Sequence, residues 1–207
     1  MTPIYLASAS PRRSQLLTQI GVAHRICPVD IDESRSGQES PAEYVIRLAA
    51  TKAQTLWARL PVTDRLPVLG SDTTVALGHE IFGKPSDRDD GIAMLQRLAG
   101  NTHQVLTAVA LVSVSGCALR LSTSDVTFGP ISAEECALYW ATGEPQDKAG
   151  GYAVQGAAAA FITRINGSYS GIMGLPLAET VQLLQPLGWT LATASNVTVA
   201  KTTNSND

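Results

Sequence analysis

The ten-residue run Val68-Leu69-Gly70-Ser71-Asp72-Thr73-Thr74-Val75-Ala76-Leu77 holds one ionisable side chain, near its middle. Its apolar ends and β-branched residues read as a buried strand. Any fold that buries this strand must also accommodate Asp72, whose ionisation there is costly without a partner. A metal ion, a lysine, or a water that Asp72 deprotonates would each supply one. An aspartate bonded to neighbouring backbone at a strand end is the alternative, and the strand pattern alone leaves both standing.

A second anomaly lies upstream. Ser40-Pro41-Ala42-Glu43 is a capping box with proline at the first helical position, and it predicts a helix to about Arg59. The apolar stripe of that helix is Val45, Leu48, Ala49, Ala53 and Leu56, and Lys52 falls inside it. A lysine on an inward face can snorkel past core residues. The sharper reading places it beside a metal and a polyphosphate.

The remaining pattern alternates short strands with capped helices. Ile4-Tyr5-Leu6-Ala7 predicts a strand, and Ser10-Pro11 an N-cap opening a helix that Gly21 stops. Residues 22–29 predict a second strand, and the polar stretch 30–40 a loop. Ser86 or Asp87 caps a helix to about Ala99, and Ser132-Ala133-Glu134-Glu135 caps another to about Thr142. Residues 105–114 and 119–128 predict a hairpin around Ser115-Gly116. Residues 158–165 and 168–173 predict a second hairpin around Asn166-Gly167. A last helix runs from Leu177 to about Gln185, stopped by Pro186. Interleaved strands and helices with two antiparallel hairpins predict an α/β fold with a mixed sheet. Residues 1–194 are expected to form one bilobed domain, and residues 195–207 a disordered tail.

Composition narrows the function classes. With 44% hydrophobic and 16% charged residues, the chain is not of the disordered kind. A net charge of -3 lacks the basic footprint of a nucleic-acid binder. Three scattered cysteines form neither a disulfide framework nor a zinc site. The three histidines read as ordinary surface or packing residues. No apolar stretch is long enough for a membrane span, and the N-terminus lacks the pattern of a signal peptide. A cytoplasmic, membrane-free protein is expected.

Chemistry concentrates at a few places. Ser8-Ala9-Ser10-Pro11-Arg12-Arg13 lies where a strand feeds a helix, whose free N–H groups and dipole favour an anion. Arg12 and Arg13 in a first helical turn oppose that dipole, so the pair calls for a compensating phosphate. Asp30, Asp32 and Glu33 form an acidic cluster that, taken alone, reads as a solvated loop, although its hard oxygen donors would suit Mg²⁺ or Mn²⁺. Asp87, Asp89 and Asp90 sit in a first helical turn and read as dipole-stabilised acids. Lys52 and Lys84 are the further cations. Together these residues make a kit for a triphosphate, a divalent metal and an acid that activates water.

Several ordered motifs resemble those of the Maf family of nucleotide pyrophosphatases, from about residue 4 to about residue 188. They are Leu6-Ala7-Ser8-Ala9-Ser10-Pro11-Arg12-Arg13, Gly70-Ser71-Asp72-Thr73-Thr74-Val75 and Gly83-Lys84-Pro85. Further matches are Gly143-Glu144-Pro145, Asp147-Lys148-Ala149-Gly150-Gly151-Tyr152 with Gln155-Gly156, and Gly174-Leu175-Pro176-Leu177. The resemblance implies a mixed sheet in two lobes around a cleft, of ITPase-like fold, and a homodimer. It implies cleavage of a nucleoside triphosphate between the α and β phosphates, using Mg²⁺ or Mn²⁺. Asp72 is implied as proton acceptor, Glu33 as the acid that joins it at the metal, and Lys52 and Lys84 as cleft lysines. Ser8, Ser10, Arg12 and Arg13 are implied at the phosphates. Arg12, Thr73 and Gln155 correspond to the specificity positions of the branch acting on dTTP and UTP. A nucleotide-binding regulator of septum formation, or a pyrophosphatase for 7-methyl-GTP or ITP, are the competing readings.

Overall fold

A computed structural model describes residues 2–190. The tail expected from Ser195 lies outside the described residues. Among the described residues, seven strands form one mixed sheet. In chain order they are β1 (Ile4–Leu6), β2 (His24–Ile26), β3 (Val68–Leu77), β4 (Glu80–Phe82), β5 (Thr102–Ser113), β6 (Gly116–Phe128) and β7 (Ile162–Asn166). The order across the sheet is β2-β1-β3-β5-β6-β7, with β4 also paired to β3. β1 runs parallel to β2 and β3, and every other pairing is antiparallel. The mixed α/β sheet expected from the sequence is therefore present.

Six α-helices among the described residues accompany it: α1 (Pro11–Gln19), α2 (Pro41–Arg59), α3 (Arg88–Leu98), α4 (Ala133–Ala141), α5 (Tyr169–Ile172) and α6 (Leu177–Leu184). Both predicted capping boxes close, Ser40 with Glu43 and Ser132 with Glu135. Each such cap is worth about 1 kcal/mol. Asp87 caps α3 by accepting from the Asp90 N–H at 2.9 Å, so that acidic turn is structural.

Period-2 alternation along β3 assigns its side chains to two faces. Val68, Ala76, Ala108 and Ala110 pack with Val45, Ala49, Ala53 and Leu56 of α2 on one face. Leu69, Val109 and Leu111 pack with residues of α1 and α6 on the other. The far half of β3 belongs to a third cluster, in which Val75 and Val105 meet Phe82, Leu95, Phe128 and Tyr139.

The topology opens a gap. β1 pairs with β3 only at Val68 and Leu69, and β4 only from Val75 to Leu77, on the edge that β5 leaves free. Residues 70–74 are therefore flanked by strand β5 alone. The cleft forms beside this stretch, lined by Pro11, Arg12 and Arg13 at the start of α1 and by Tyr44 and Lys52 of α2.

Three sequence expectations need correction. Asn166-Gly167 does not turn a hairpin. β7 pairs with β6 instead, and after Gly167 (φ +137°) the Ser168 side chain accepts from the Gly171 N–H and caps α5. Residues 157–161, four alanines and a phenylalanine, form a 3₁₀ turn where a strand was expected. Alanine favours helical over extended backbone. The second strand is three residues long, matching its only partner, β1. The last helix behaves as expected: α6 ends at Leu184, ahead of Pro186, and a 3₁₀ turn at Gln185–Leu187 follows.

Candidate active site

The face of α2 that meets β3 carries Lys52. Gly70 makes the approach possible, because a Cβ there would collide with the Ala49 carbonyl and come within 2.8 Å of the Ala53 nitrogen. Asp72 shares that face of β3 by alternation. Lys52 Nζ lies 2.6 Å from Asp72 Oδ1 and 2.6 Å from Glu33 Oε1. Asp72 is only 7% exposed. Burial pushes its carboxyl above the ordinary value, while the charges of Lys52 and Arg13 pull it down.

Glu33 reaches this point from the 30–40 loop, which α2 itself anchors. The Tyr44 hydroxyl donates to the Glu33 carbonyl at 2.9 Å. The Arg47 fork donates to both Glu39 carboxylate oxygens, at 3.0 and 2.6 Å, and to the Ser34 carbonyl at 3.0 Å. Asp30 and Asp32 do not line the cleft, and Asp32 accepts from the Ser34 N–H. Only one member of the acidic cluster therefore faces the site.

The opposite face of β3 presents Ser71 and Thr73. The Ser71 hydroxyl lies 2.9 Å from the Ala108 carbonyl and 3.0 Å from the Gly174 carbonyl. Arg13 is held as a strut: Nε donates to the Gly174 carbonyl (2.8 Å), Nη1 to Ser8 (3.1 Å) and Nη2 to Thr73 (3.3 Å). Two of its five N–H groups remain for a ligand. Arg12 makes no side-chain hydrogen bond or ion pair among the described residues, nor does Lys84, which is exposed at the cleft edge. Ser10 has the extended backbone of an N-cap (φ -67°, ψ 117°), but its side chain makes no capping bond. No acid sits in that first turn. The start of α1 thus offers N–H groups, a hydroxyl and an uncommitted guanidinium to an anion.

One cleft of about 570 Å³ collects these groups. Ser8, Ser10, Arg12, Arg13 and Thr73 line it, as do Glu33, Lys52, Asp72, Lys84 and Gln155. These ten residues therefore face the same space, while Asp30 and Asp32 do not. Glu33 and Asp72 converge on one nitrogen and give two hard oxygen donors at one spot. That set fits Mg²⁺ or Mn²⁺, which take one or two carboxylates and complete their shells with water and phosphate. Among the described residues no cluster of three or more His, Cys, Asp or Glu could form an all-protein cage.

Sequence reasoning missed some of the wall. Tyr44 lines the cleft, as do Asp147, Lys148 and Tyr152, which the sequence placed in a motif without giving them a role, and Lys148 is ion-paired to Asp147. Thr107 stands opposite Thr73 in the ladder, 2.9 Å from its hydroxyl, and donates to the Gly171 carbonyl at 2.7 Å. A polar residue inside an otherwise apolar strand was the available signal, the same one that marked Asp72. His103 is buried, its Nε2 2.8 Å from the Tyr152 hydroxyl, and burial lowers its pKa to about 4.

Residues 3–187 match the family model described as Maf-like protein. A dTTP/UTP pyrophosphatase of Alkalilimnicola ehrlichii is 53% identical over 184 residues, covering 87% of this chain and 91% of that one. A dTTP/UTP pyrophosphatase of Methylobacillus flagellatus is 52% identical over 188 residues, covering 91% and 94%. Among solved structures, the Staphylococcus aureus Ham1 protein aligns with a TM-score of 0.44 at 15% identity. That alignment covers 61% of this chain and 72% of that one, a likeness too slight to carry an argument.

Proposed function

Because this chain belongs to the Maf family, we propose that its cleft hydrolyses dTTP and UTP at the anhydride between the α and β phosphates. One water is consumed, and the products are the nucleoside monophosphate and pyrophosphate. The observation that carries the reading is the pair of carboxylates on Lys52, lining one cleft with the uncommitted Arg12 guanidinium of α1.

Each group has a task. Asp72 takes the proton from the attacking water, and its raised pKa makes it a stronger base than an exposed aspartate. Lys52 keeps both carboxylates in register. Arg12, Lys84, Ser10 and the N–H groups of α1 bind phosphate oxygens, and Arg13 fixes the shape of that cradle while donating its spare N–H groups. Glu33 and Asp72 would hold Mg²⁺ or Mn²⁺, which when bound would neutralise phosphate charge and favour attack at the anhydride. Thr73 and Gln155 face the nucleoside. Gln155 offers a donor and an acceptor to a ring edge bearing carbonyl and N–H groups. The proposal extends to a homodimer in the cytoplasm, on the family resemblance alone.

Product analysis on a nucleotide panel tests this. Incubation with dTTP, UTP, CTP, 7-methyl-GTP, ITP and ATP, with and without Mg²⁺ or Mn²⁺, is followed by separation of the products. Monophosphate and pyrophosphate from dTTP and UTP, only with metal, are expected. Release of orthophosphate would place cleavage at the wrong anhydride. Preference for 7-methyl-GTP would overturn the roles of Arg12, Thr73 and Gln155.

A further inference from the structure

Gln155 lines the cleft on a segment with no regular secondary structure of its own. A side chain that reads a base must be held in place, and a loop supplies little rigidity by itself. Two hydrogen bonds bracket it. Two residues before Gln155, the Ala153 N–H donates to the Tyr139 hydroxyl at 3.2 Å. Two residues after it, the Ala157 N–H donates to Glu144 Oε2 at 3.1 Å. The brackets are themselves joined, because the Tyr139 hydroxyl donates to Glu144 Oε1 at 2.5 Å.

The acceptor pair is anchored from behind. Tyr139 lies in α4 and is buried, and it packs edge-on to Phe161 at 5.6 Å. The Glu144 N–H donates to the Thr142 hydroxyl at 3.2 Å. Burial, followed by the Glu144 bond, pushes the Tyr139 hydroxyl well above its ordinary value, so it remains a donor. The carboxylate also fills the space beside Gly156, where any Cβ would collide with it. Neither Glu144 nor Tyr139 lines the cleft.

We propose that Glu144 and Tyr139 are positioning residues for base selection: their joined side chains clamp residues 153–157 and so fix Gln155 against the pyrimidine. This rests on the proposed reading of Gln155 as the group that faces the base. It also gives a role to Gly143-Glu144-Pro145 and to Gln155-Gly156, motifs that the phosphate chemistry does not use.

The test is the ratio of kcat/KM for UTP to that for CTP, whose ring edge presents an amino group in place of a carbonyl. Glu144→Ala should lower the ratio about tenfold, through KM for UTP more than through kcat, since a small misplacement of a binding group is costly. Tyr139→Phe should act in the same direction. Glu144→Gln retains an acceptor for the Ala157 N–H and should recover part of the loss. Gly156→Ala needs no unusual backbone, since φ is -107°. It should displace the carboxylate and reproduce the defect, yet add nothing in a Glu144→Ala background, where the space is free. This variant keeps the test open if Glu144→Ala folds poorly. A purely structural role would lower activity on both nucleotides equally and leave the ratio unchanged. If Gln155→Ala collapses the ratio while Glu144→Ala and Gly156→Ala leave it intact, the clamp is wrong. If Gln155→Ala itself leaves the ratio unchanged, the base-reading assignment fails and the clamp's purpose with it.

Discussion

Lys52 Nζ sits 2.6 Å from Asp72 Oδ1 and 2.6 Å from Glu33 Oε1, one ammonium group joining carboxylates that come from a strand and a loop. Its charge lowers the Asp72 pKa against the rise that burial causes. Removing it makes the carboxyl harder to ionise. Lys52→Met is therefore expected to move the acid limb of kcat/KM to higher pH and to cut activity at neutral pH by about a hundredfold. A pH–rate profile checks this, and an acid limb that stays put or moves down counts against it.

The two arginines at the start of α1 should separate in experiment. Arg13 donates to three acceptors from one planar group, a geometry that lysine cannot copy. Arg13→Lys should cost about 2 kcal/mol of stability as well as activity. Arg12→Lys should leave stability within about 0.5 kcal/mol and raise KM for the triphosphate about tenfold. Urea unfolding beside steady-state kinetics distinguishes them. Equal stability loss in both variants would contradict the strut role of Arg13.

Much of this site was legible in the sequence because its key residues break local rules. A lysine in the apolar stripe of α2 and an aspartate in an apolar strand each conflict with burial, and the fold resolves both conflicts by bringing them together. Arginines against a helix dipole signal an anion in the same way. Residues that break no rule stayed hidden. Tyr139 and Glu144 look like an ordinary helix residue and an ordinary loop acid, and only tertiary structure sets them on either side of Gln155. The Asn166-Gly167 error has a similar origin. That dipeptide suits a hairpin locally, yet β6 was the available partner for β7 and Ser168 capped a helix instead.

Gly70 should be intolerant of substitution. A Cβ there meets the backbone of α2, which cannot move without pulling Lys52 away from Asp72. Gly70→Ala is expected to destabilise the protein by about 3 kcal/mol, in the range of overpacked cores. Tm should fall by about 6–12 °C, at about 2–4 °C per kcal/mol for a chain of this size. Calorimetry that finds Tm unchanged would show that α2 does not bear on β3 as described.

His103 supplies a pH-dependent stability term away from the chemistry. Its folded pKa of about 4 lies below the ordinary value of 6.5, so the unfolded chain binds the proton first. Its contribution is complete above pH 6.5 and is lost as pH falls towards about 4. The loss amounts to about 3 kcal/mol at most. His103→Gln should be less stable at neutral pH but show a flatter decline over that window. Parallel slopes for the two proteins in pH-dependent denaturation would contradict this.

The claim that Asp72 activates the water is tested most directly by Asp72→Asn at saturating dTTP with Mn²⁺ or Mg²⁺. Turnover and binding of dTTP are measured on the same preparation. The account predicts a loss of kcat of about a thousandfold or more, with dTTP still bound through the α1 cradle and Lys84. A variant that turns over within about tenfold of the parent would contradict it and move the proton acceptor elsewhere in the cleft.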